Sequence, residues 1–430
     1  MAIARAHSRW RAISRAELNH KLSTTRLEAQ PATLIRPCAG DEPHLAATLR
    51  SSLVARELGP HARVVFAIES RSDLAWPTVS RITDELRALG LDARIIETAT
   101  TALNAKSGQL DVVLSQLTLR SSDELLVFCD SDVELRDGDL IALAEPVLTH
   151  LAGCCWAPPF ERVAPRDRGD LASEALLGGS LHSFVLLSGL DRAGLVGKLF
   201  TLRARTLSKL GGFASMLDVL GEDMELARLL RAHDVSLEVS PRAVRSLACG
   251  RSVPAAIERY TRWLQVIRTQ RPALLLSYPA LFFATPLILI GSLWLAMYDP
   301  LLAFSSAAIA IATRLTVALA AREATDRSHV HQDIWVDAIL SDLLLAMAFF
   351  QALTRSHVLW RGRRLSLSRG RLVPAMTQAA RWIATFAVVA GLSIPQAFAL
   401  PKAGDQGLNA KLEDASGKVT ELKQFKGKPI

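Results

Sequence analysis

Two aspartates separated by one residue, Asp130 and Asp132, are the strongest chemical signal in the sequence. They lie in CDSD, directly after the apolar run LLVF, so we expect them at the end of a buried strand. Carboxylates this close repel each other, and a divalent cation that links them to a diphosphate removes that cost. Oxygen ligands suit Mg²⁺ or Mn²⁺ rather than zinc. The pair therefore predicts a site for a divalent cation and a diphosphate.

A second acidic pair, Glu222 and Asp223, lies in GEDMEL, where a helix is predicted to begin after KLGGF. A carboxylate at this position can deprotonate an acceptor hydroxyl for in-line attack. The helix macrodipole also favours acidic residues in a first turn, so this pair alone fits a structural role better. The chemical interpretation depends on the other residues of the site.

Two further segments follow predicted strands and could bind a nucleotide. Asp73 could accept hydrogen bonds from a uracil or a ribose, although Glu69 could fill the same role. Asn104 and Lys106 lie in LNAKSGQL, just before a predicted helix. A lysine at a helix start can neutralise a phosphate together with the helix N-terminus, although an exposed, solvated lysine is the commoner outcome.

Arg259, Arg262 and Trp263 form RYTRW on a predicted helix that precedes a long apolar stretch. Arginines three residues apart share a helix face and can bind a pyrophosphate through paired hydrogen bonds. The tryptophan could stack on a ligand or line an acceptor groove. The competing interpretation is a basic, aromatic belt beside a membrane.

Alternating strands and helices along residues 33–156 would position these side chains. Apolar runs predict strands at residues 32–36, 63–69, 93–98, 124–129 and 152–157. Helical spacing predicts helices at residues 44–58, 78–89, 107–117 and 139–151. Such alternation is typical of a doubly wound, mostly parallel α/β sheet, whose ligands lie beyond the carboxyl ends of the strands. We predict a catalytic domain over residues 33–270, after a basic arm at residues 1–32.

Beyond Pro272 the sequence becomes strongly apolar, which accounts for its positive mean hydropathy. Residues 275–298 are long enough to span a bilayer, and 300–321 and 382–400 are weaker candidates. Residues 334–353 carry Asp337 and Asp342, and we expect an amphipathic helix in the membrane interface there. Residues 271–373 would thus be membrane-associated, 374–400 a signal-like or transmembrane segment, and 401–430 a truncated thioredoxin-like start.

Charge and cysteine content exclude other classes of protein. The net charge of +8 comes largely from basic runs that flank apolar segments, which favours an anionic membrane surface over nucleic acid. The five cysteines form no C-x-x-C motif. We therefore expect neither a disulfide framework nor a zinc site, and a reducing compartment for residues 1–270.

Taken in order, these residues resemble the D, D, D, (Q/R)xxRW pattern of inverting GT-A glycosyltransferases. More narrowly, residues 33–373 resemble the ceramide glucosyltransferases and their bacterial relatives, including the hopanoid-associated glycosyltransferases. The motifs that carry this resemblance are IRPCAGDEPHL, NAKSGQL, FCDSD, LGGF with GEDMEL, RYTRW and VLWRGRRLSL.

The resemblance implies a role for each acidic group. Asp73 would bind the nucleoside, and Asp130 with Asp132 would hold the metal and the diphosphate. Asp223 would be the general base of a single inverting displacement without a covalent intermediate. The family usually has a membrane anchor before the first strand, whereas residues 1–32 here are basic and polar.

The resemblance also implies roles for the RYTRW motif and for a histidine. Arg259, Arg262 and Trp263 would bind the pyrophosphate and shape the acceptor entrance. The candidate for the family's acceptor-region histidine is His182, although the local spacing differs by one residue.

We therefore expect a membrane-bound enzyme that transfers glucose or N-acetylglucosamine from a UDP-sugar to a lipid hydroxyl, such as that of ceramide or a hopanoid-type lipid. Its catalytic domain would face the cytoplasm at a bacterial inner membrane. A processive polysaccharide synthase would need more membrane helices. A non-enzymatic protein with a degenerate nucleotide-binding fold is disfavoured by the intact Asp130, Asp132 and Asp223.

Overall fold

The computed structural model describes residues 30–149, 151–161, 167–191, 193–325, 334–360, 363–368, 370–374, 411–413 and 419–421. The chain divides into two compact units, Met1–Ala375 and Met376–Ile430. In the second unit, Lys411–Glu413 and Val419–Glu421 pair as antiparallel strands. Residues 1–29 of the predicted arm and the predicted 382–400 span lie outside the described residues. The division into five segments stays a prediction.

The strands of the larger unit's first part follow the predicted order closely. Within the described residues they are β1 Ala32–Pro37, β2 Ala62–Ile68, β3 Asp92–Glu97, β4 Leu125–Cys129, β5 Val133–Glu134, β6 Cys154–Trp156, β7 Pro159–Glu161, β8 Leu199–Arg203, β9 Leu237–Val239 and β10 Val244–Ser246. A seven-stranded sheet has the order β3-β2-β1-β4-β8-β6-β9, and β5, β10 and β7 form a smaller sheet.

The predicted mostly parallel α/β sheet is confirmed. β1 pairs in parallel with β2 and β4, and β2 pairs in parallel with β3. β8 is antiparallel and lies between β4 and β6, an arrangement that the sequence did not indicate. A central strand that is covered on both faces has a continuous apolar sequence in either direction. The apolar pattern therefore cannot show that β8 is antiparallel to its neighbours.

Helices cover both faces of the sheet. Those of the described residues are α1 Leu45–Arg50, α2 Trp76–Ala88, α3 Ala105–Gln116, α4 Asp139–Leu148, α5 Arg168–Gly179, α6 Phe184–Leu190, α7 Ala204–Lys209, α8 Glu222–Ala232 and α9 Val253–Gln270. Successive strand residues point to opposite faces. Leu34 and Val127 therefore pack in the core layer of α1, α2 and α4, whereas Ile35 and Phe128 pack in the layer of α3, α7 and α8.

A helical region follows the sheet domain, and its helices are α10 Pro272–Leu275, α11 Tyr278–Leu295, α12 Pro300–Ala324 and α13 Ile334–Thr354. The helical segments long and apolar enough to cross a membrane, among the described residues, are Arg168–Leu190, Pro272–Leu295, Pro300–Ala324 and Ile334–Thr354. Leu287, Ile290 and Leu293 are 62%, 63% and 76% exposed. Water would penalise such a surface, whereas lipid would cover it.

The charged residues of these helices pair with one another. Arg322 contacts Asp337 at 2.8 Å, and Arg314 contacts Asp342 at 2.7 Å, in both cases between α12 and α13. Mutual pairing is the usual way in which a protein keeps ionisable groups inside an apolar helical region. These pairs explain how α13 can carry two aspartates, and the interfacial position expected for it stays a prediction.

A three-stranded antiparallel sheet closes the larger unit, with strands β11 His357–Trp360, β12 Arg363–Ser368 and β13 Arg371–Pro374. It contains the VLWRGRRLSL motif, residues 358–367. This sheet was not predicted as such, because its strands are short, basic and follow long apolar helices.

Candidate functional site

Lys106 joins three segments of the chain at the carboxyl end of the parallel strands. Its ammonium lies 2.7 Å from Asp130 Oδ1 and 3.1 Å from Glu222 Oε1, and it donates to the Gly197 carbonyl at 2.9 Å. Burial alone would lower the pKa of Lys106, but the carboxylates of Asp130 and Glu222 raise it above its usual value. Lys106 is therefore a fixed cation between the two predicted acidic pairs.

Asn104 explains why Lys106 points into this cluster. Its Oδ1 accepts a hydrogen bond from Ser107 N at 3.0 Å and so caps α3. Its Nδ2 donates to the Val219 carbonyl at 2.8 Å and to Glu222 Oε2 at 3.1 Å. One side chain thus fixes the start of α3 and the segment that leads into α8.

A second lysine, Lys198, contacts both Asp130 and Asp132, and the sequence reasoning missed it. Lys198 forms an ion pair with Asp132 and lies 3.6 Å from Asp130 Oδ2. Ser246 also donates to Asp132 at 3.1 Å. Burial alone would raise the pKa of Asp132, but Lys198, with a smaller contribution from Arg259, lowers it to about 2.

The antiparallel pairing of β8 places Lys198 in the site. Leu199 pairs with Cys129, and Asp130 N donates to the Lys198 carbonyl at 2.8 Å. The residue before β8 therefore lies opposite the residue after β4. A lysine next to a strand start was the only signal in the sequence, and it acquires meaning only when the neighbour of that strand is known.

The aspartate pair fits a divalent cation. Asp132 Oδ1 is buried and accepts no hydrogen bond from any residue that the structure describes. Within the described part of the chain, no group of three or more His, Cys, Asp or Glu side chains could hold a metal. Two carboxylates completed by phosphate oxygens and water are a usual arrangement for Mg²⁺ or Mn²⁺. Asp130 and Asp132 are thus the residues that could hold the cation.

A buried arginine lies beneath these aspartates and was also missed. Arg36 is fully buried and donates to the carbonyls of Asp130 at 2.8 Å and Val133 at 2.6 Å. It also donates to the Thr48 carbonyl at 2.6 Å. These bonds hold the turn after β4 against α1. The signal in the sequence was a charged residue inside the apolar strand ATLIRP.

Asp223 and Glu222 are adjacent in the chain but differ in environment. Asp223 accepts hydrogen bonds from the backbone of Gly197 at 3.1 Å and of Met224 at 2.8 Å. Burial and the neighbouring Glu222 raise the pKa of Asp223 to about 6. Burial would also raise the pKa of Glu222, but Lys106 lowers it overall. Only Asp223 is therefore suited to take up a proton near neutral pH.

Asp73 lies in a neighbouring loop, after β2. Its Oδ1 accepts hydrogen bonds from Gly40 N at 2.7 Å and Ala75 N at 2.8 Å. The loop after β1, which contains Gly40, reaches the aspartate pair because Glu42 accepts from Ser131 Oγ at 2.6 Å. The loop after β1 therefore links Asp73 to the aspartate pair, Asp130 and Asp132. The nucleoside-binding role of Asp73 stays a prediction.

Arg259 and Trp263 lie together on α9. The Arg259 guanidinium is 4.7 Å from the centre of the Trp263 ring and forms an ion pair with Glu161. Arg251 contacts the same carboxylate at 3.1 Å. Arg262 is half-buried on the same helix. The structure thus gives Arg259 a buried anionic partner, Glu161, which the sequence reasoning did not foresee.

His182 lies apart from the carboxylate cluster in every contact that the structure describes. Its ring is 5.0 Å from that of Tyr278 at the start of α11. Its Nε2 is buried and forms no hydrogen bond with a described residue. Trp263 packs against Phe184, two residues further along, with ring centres 5.5 Å apart. His182 therefore faces the region between α9 and the apolar helices.

The sequence model of glycosyl transferase family 21 matches residues 1–373. Comparison with curated proteins gives no significant match.

The fold is similar to solved structures of low identity. A mannosyltransferase from Pyrobaculum calidifontis, in complex with GDP-Man and Mn²⁺, is 18% identical with a TM-score of 0.43 and covers 82% of this chain and 99% of its own. Glucosyl-3-phosphoglycerate synthase from Mycobacterium tuberculosis, in complex with Mn²⁺, UDP and glucosyl-3-phosphoglycerate, is 16% identical with a TM-score of 0.37. That match covers 57% of this chain and 84% of the synthase.

Proposed function

Because the chain belongs to glycosyl transferase family 21, and is therefore a nucleotide-sugar glycosyltransferase, we propose that it transfers a hexose from a UDP-sugar to a lipid hydroxyl. Glucose or N-acetylglucosamine is the proposed sugar. The observation that carries the proposal is the convergence of Lys106, Asp130, Asp132 and Asp223 at one end of the sheet, beside helices apolar enough to enter a membrane.

The donor side of the proposal uses the basic residues and the aspartate pair. Asp130 and Asp132 would hold Mg²⁺ or Mn²⁺, which supplies positive charge against the leaving diphosphate. Lys106 already lies 2.7 Å from Asp130 and would neutralise a phosphate oxygen there. Asp73 would accept hydrogen bonds from the nucleoside. The proposed pyrophosphate contacts on α9 are Arg259, Arg262 and Trp263.

The acceptor side uses Asp223 as the general base. Its carboxylate would take the proton of the lipid hydroxyl while that oxygen bonds to the anomeric carbon and the bond to UDP breaks. A single displacement of this kind inverts the anomeric configuration and leaves no covalent intermediate. The pKa of about 6 leaves Asp223 mostly ionised at neutral pH, as a base requires.

The proposed lipid route lies between the sheet domain and the apolar helices. Tyr260 and Leu264 of α9 share one hydrophobic core with Tyr278 of α11 and Phe349 of α13. This shared core joins α9 to the apolar helices, and an acyl chain would approach the catalytic residues along that junction. His182 lies at the same junction and would contact the acceptor.

We also propose that the catalytic domain faces the cytoplasm of a bacterial cell. The five cysteines are all free, and four of them are buried. Two of these, Cys154 and Cys155, are adjacent in β6. Such a set suits a reducing compartment, where thiols persist without a disulfide framework.

The test is a transfer assay with membranes that contain the protein. Radiolabelled UDP-sugars, extracted lipid and Mn²⁺ or Mg²⁺ are mixed, and label is measured in the organic phase. Label that is lost in Asp130→Ala, but kept in the exposed control Asp84→Ala, would support the proposal and identify the donor sugar. Label only in aqueous polymer, or no lipid label with any UDP-sugar, would overturn transfer to lipid.

A further inference from the structure

The C-terminal sheet pairs with the segment of chain that leads into Glu222 and Asp223. Leu372 N donates to the Asp218 carbonyl at 2.6 Å, and Val219 forms an antiparallel bridge with Arg371. The Arg371 guanidinium lies 2.5 Å from Asp218 Oδ1. Residues 218–219 thus acquire a strand partner that lies far along the chain.

The other edge of the same segment is bonded to the start of α3. The Leu217 carbonyl accepts from Asn104 N at 2.8 Å, and the Val219 carbonyl accepts from the Asn104 side chain at 2.8 Å. Alternate carbonyls therefore point in opposite directions, as in a strand between two neighbours. The segment lies between the C-terminal sheet on one side and the cap of the Lys106 helix on the other.

Apolar side chains pack the segment before Asp223 against both α9 and the C-terminal sheet. One buried cluster contains residues of the segment, of α9 and of the C-terminal sheet: Leu220, Val266, Val358, Leu365 and Leu372. A side chain at position 221 would meet Val266 Cγ1 at 2.4 Å, so the chain at Gly221 lies tightly against α9.

Two glutamines of α9 add polar contacts to both neighbours. Gln265 Nε2 donates to the carbonyls of Arg355 and His357, at 3.1 and 3.0 Å. Gln270 Nε2 donates to the Gly221 carbonyl at 3.2 Å. The C-terminal sheet, the catalytic segment and α9 are thus fixed to one another immediately before Asp223.

We propose that the C-terminal sheet is a positioning element for the transfer reaction, acting through Arg371 and Asp218 on the placement of Asp223 opposite Lys106. This inference rests on the proposed function. Neither Arg371 nor Asp218 belongs to the carboxylate cluster, so both are positioning residues rather than catalytic ones. A shift of about 1 Å in a reacting group can reduce turnover about a hundredfold. A modest loosening of residues 217–221 is therefore enough to be measured.

The test uses the full-length protein in detergent and the variant Arg371→Asp. The side chains of Arg371 and Asp218 are 58% and 38% exposed, so breaking this pair should leave the protein folded. We expect kcat to fall by about tenfold or more, with the KM for the UDP-sugar and the affinity for UDP changed by less than about twofold. Restoring the pair in reverse, as Asp218→Arg with Arg371→Asp, should recover most of kcat.

Arg364→Asp is the matched control. Arg364 lies on β12 of the same sheet, is exposed, and contacts His357 at 3.3 Å, within the sheet itself. The charge change is the same, but the contact with residues 218–219 remains. Wild-type kcat in Arg371→Asp, an equal loss in Arg364→Asp, or no recovery in the double variant would each overturn the proposal.

Hydrogen exchange provides a measurement that does not depend on activity. Arg371→Asp should accelerate amide exchange at residues 217–224 and 104–107, and Arg364→Asp should not. Unchanged exchange at these residues would overturn the inference. Absence of transfer by the wild-type protein, with the expected exchange pattern, would instead contradict the proposed function and leave the positioning contact supported.

Discussion

The rate of transfer should depend on pH through Asp223, and Glu222→Gln should shift that dependence. Burial and the charge of Glu222 raise the pKa of Asp223 to about 6. If Asp223 is the base, the rate should fall as pH drops through this value, because the protonated carboxyl cannot accept the hydroxyl proton. The ionised fraction is about 0.9 at pH 7 and about 0.09 at pH 5, so the wild-type rate should fall about tenfold.

Glu222→Gln removes the neighbouring negative charge but leaves Asp223 buried. The pKa of Asp223 should therefore fall, and the acid limb of the profile should move to lower pH. A displacement of about one pH unit would raise the ionised fraction at pH 5 about fivefold, to roughly 0.5. Loss of the Lys106 contact can change the absolute rate, so the quantity compared is the shape of the profile.

The assay is kcat/KM for lipid transfer between pH 5 and pH 8 at constant ionic strength and saturating cation. The matched control is Glu225→Gln, since Glu225 belongs to the same first turn of α8 but forms an ion pair with Arg228. Its acid limb should stay at the wild-type position. An acid limb that stays in place or moves to higher pH in Glu222→Gln would contradict the role of Asp223 as the base, as would full turnover by Asp223→Asn.

Three further predictions concern the aspartate pair and its support. Asp132→Asn should weaken Mn²⁺-dependent UDP binding at least about tenfold, measured by calorimetry, and should leave metal-independent UDP binding unchanged. The same UDP affinity as the wild type in the presence of Mn²⁺ would contradict this cation site. Lys198 contacts both aspartates and so competes with a cation for them. Lys198→Met should therefore tighten Mn²⁺ binding in the absence of nucleotide about fivefold, measured by electron paramagnetic resonance. Weaker or equal Mn²⁺ binding would show that the lysine does not compete with the cation. Arg36→Met should lower the free energy of unfolding by about 3 kcal/mol, because buried carbonyls lose their donors. The exposed control Arg56→Met should change the free energy of unfolding little. An equal loss of this free energy in both variants would argue against a supporting role for Arg36.

Local pattern was sufficient for most elements of the sheet domain and for part of the site. The apolar runs marked the strands because a buried strand needs apolar side chains on both faces. CDSD marked a strand end, and LNAKSGQL, with Asn104 and Lys106, was placed just before a predicted helix. Asp130, Asp132 and Lys106 could therefore be proposed together before any contact between them was known. These signals depend only on residues adjacent in the chain.

Contacts between distant segments decided the rest. Lys198 reaches Asp132 only because β8 pairs with β4 in the antiparallel direction. Arg36 lies among apolar residues in the sequence, and only the turn after β4 gives its guanidinium partners. The different pKa values of Glu222 and Asp223 arise from burial and from Lys106, which comes from another part of the chain.

Local sequence pattern therefore specified the fold class, the family resemblance and the residue types available for cation and phosphate binding. Folding gave Glu222 and Asp223 different surroundings, brought Lys198 to the aspartate pair and bonded residues 217–221 to distant segments of the chain. Periodicity is a short-range property of the chain, whereas burial, pairing and pKa depend on neighbours that only folding brings together.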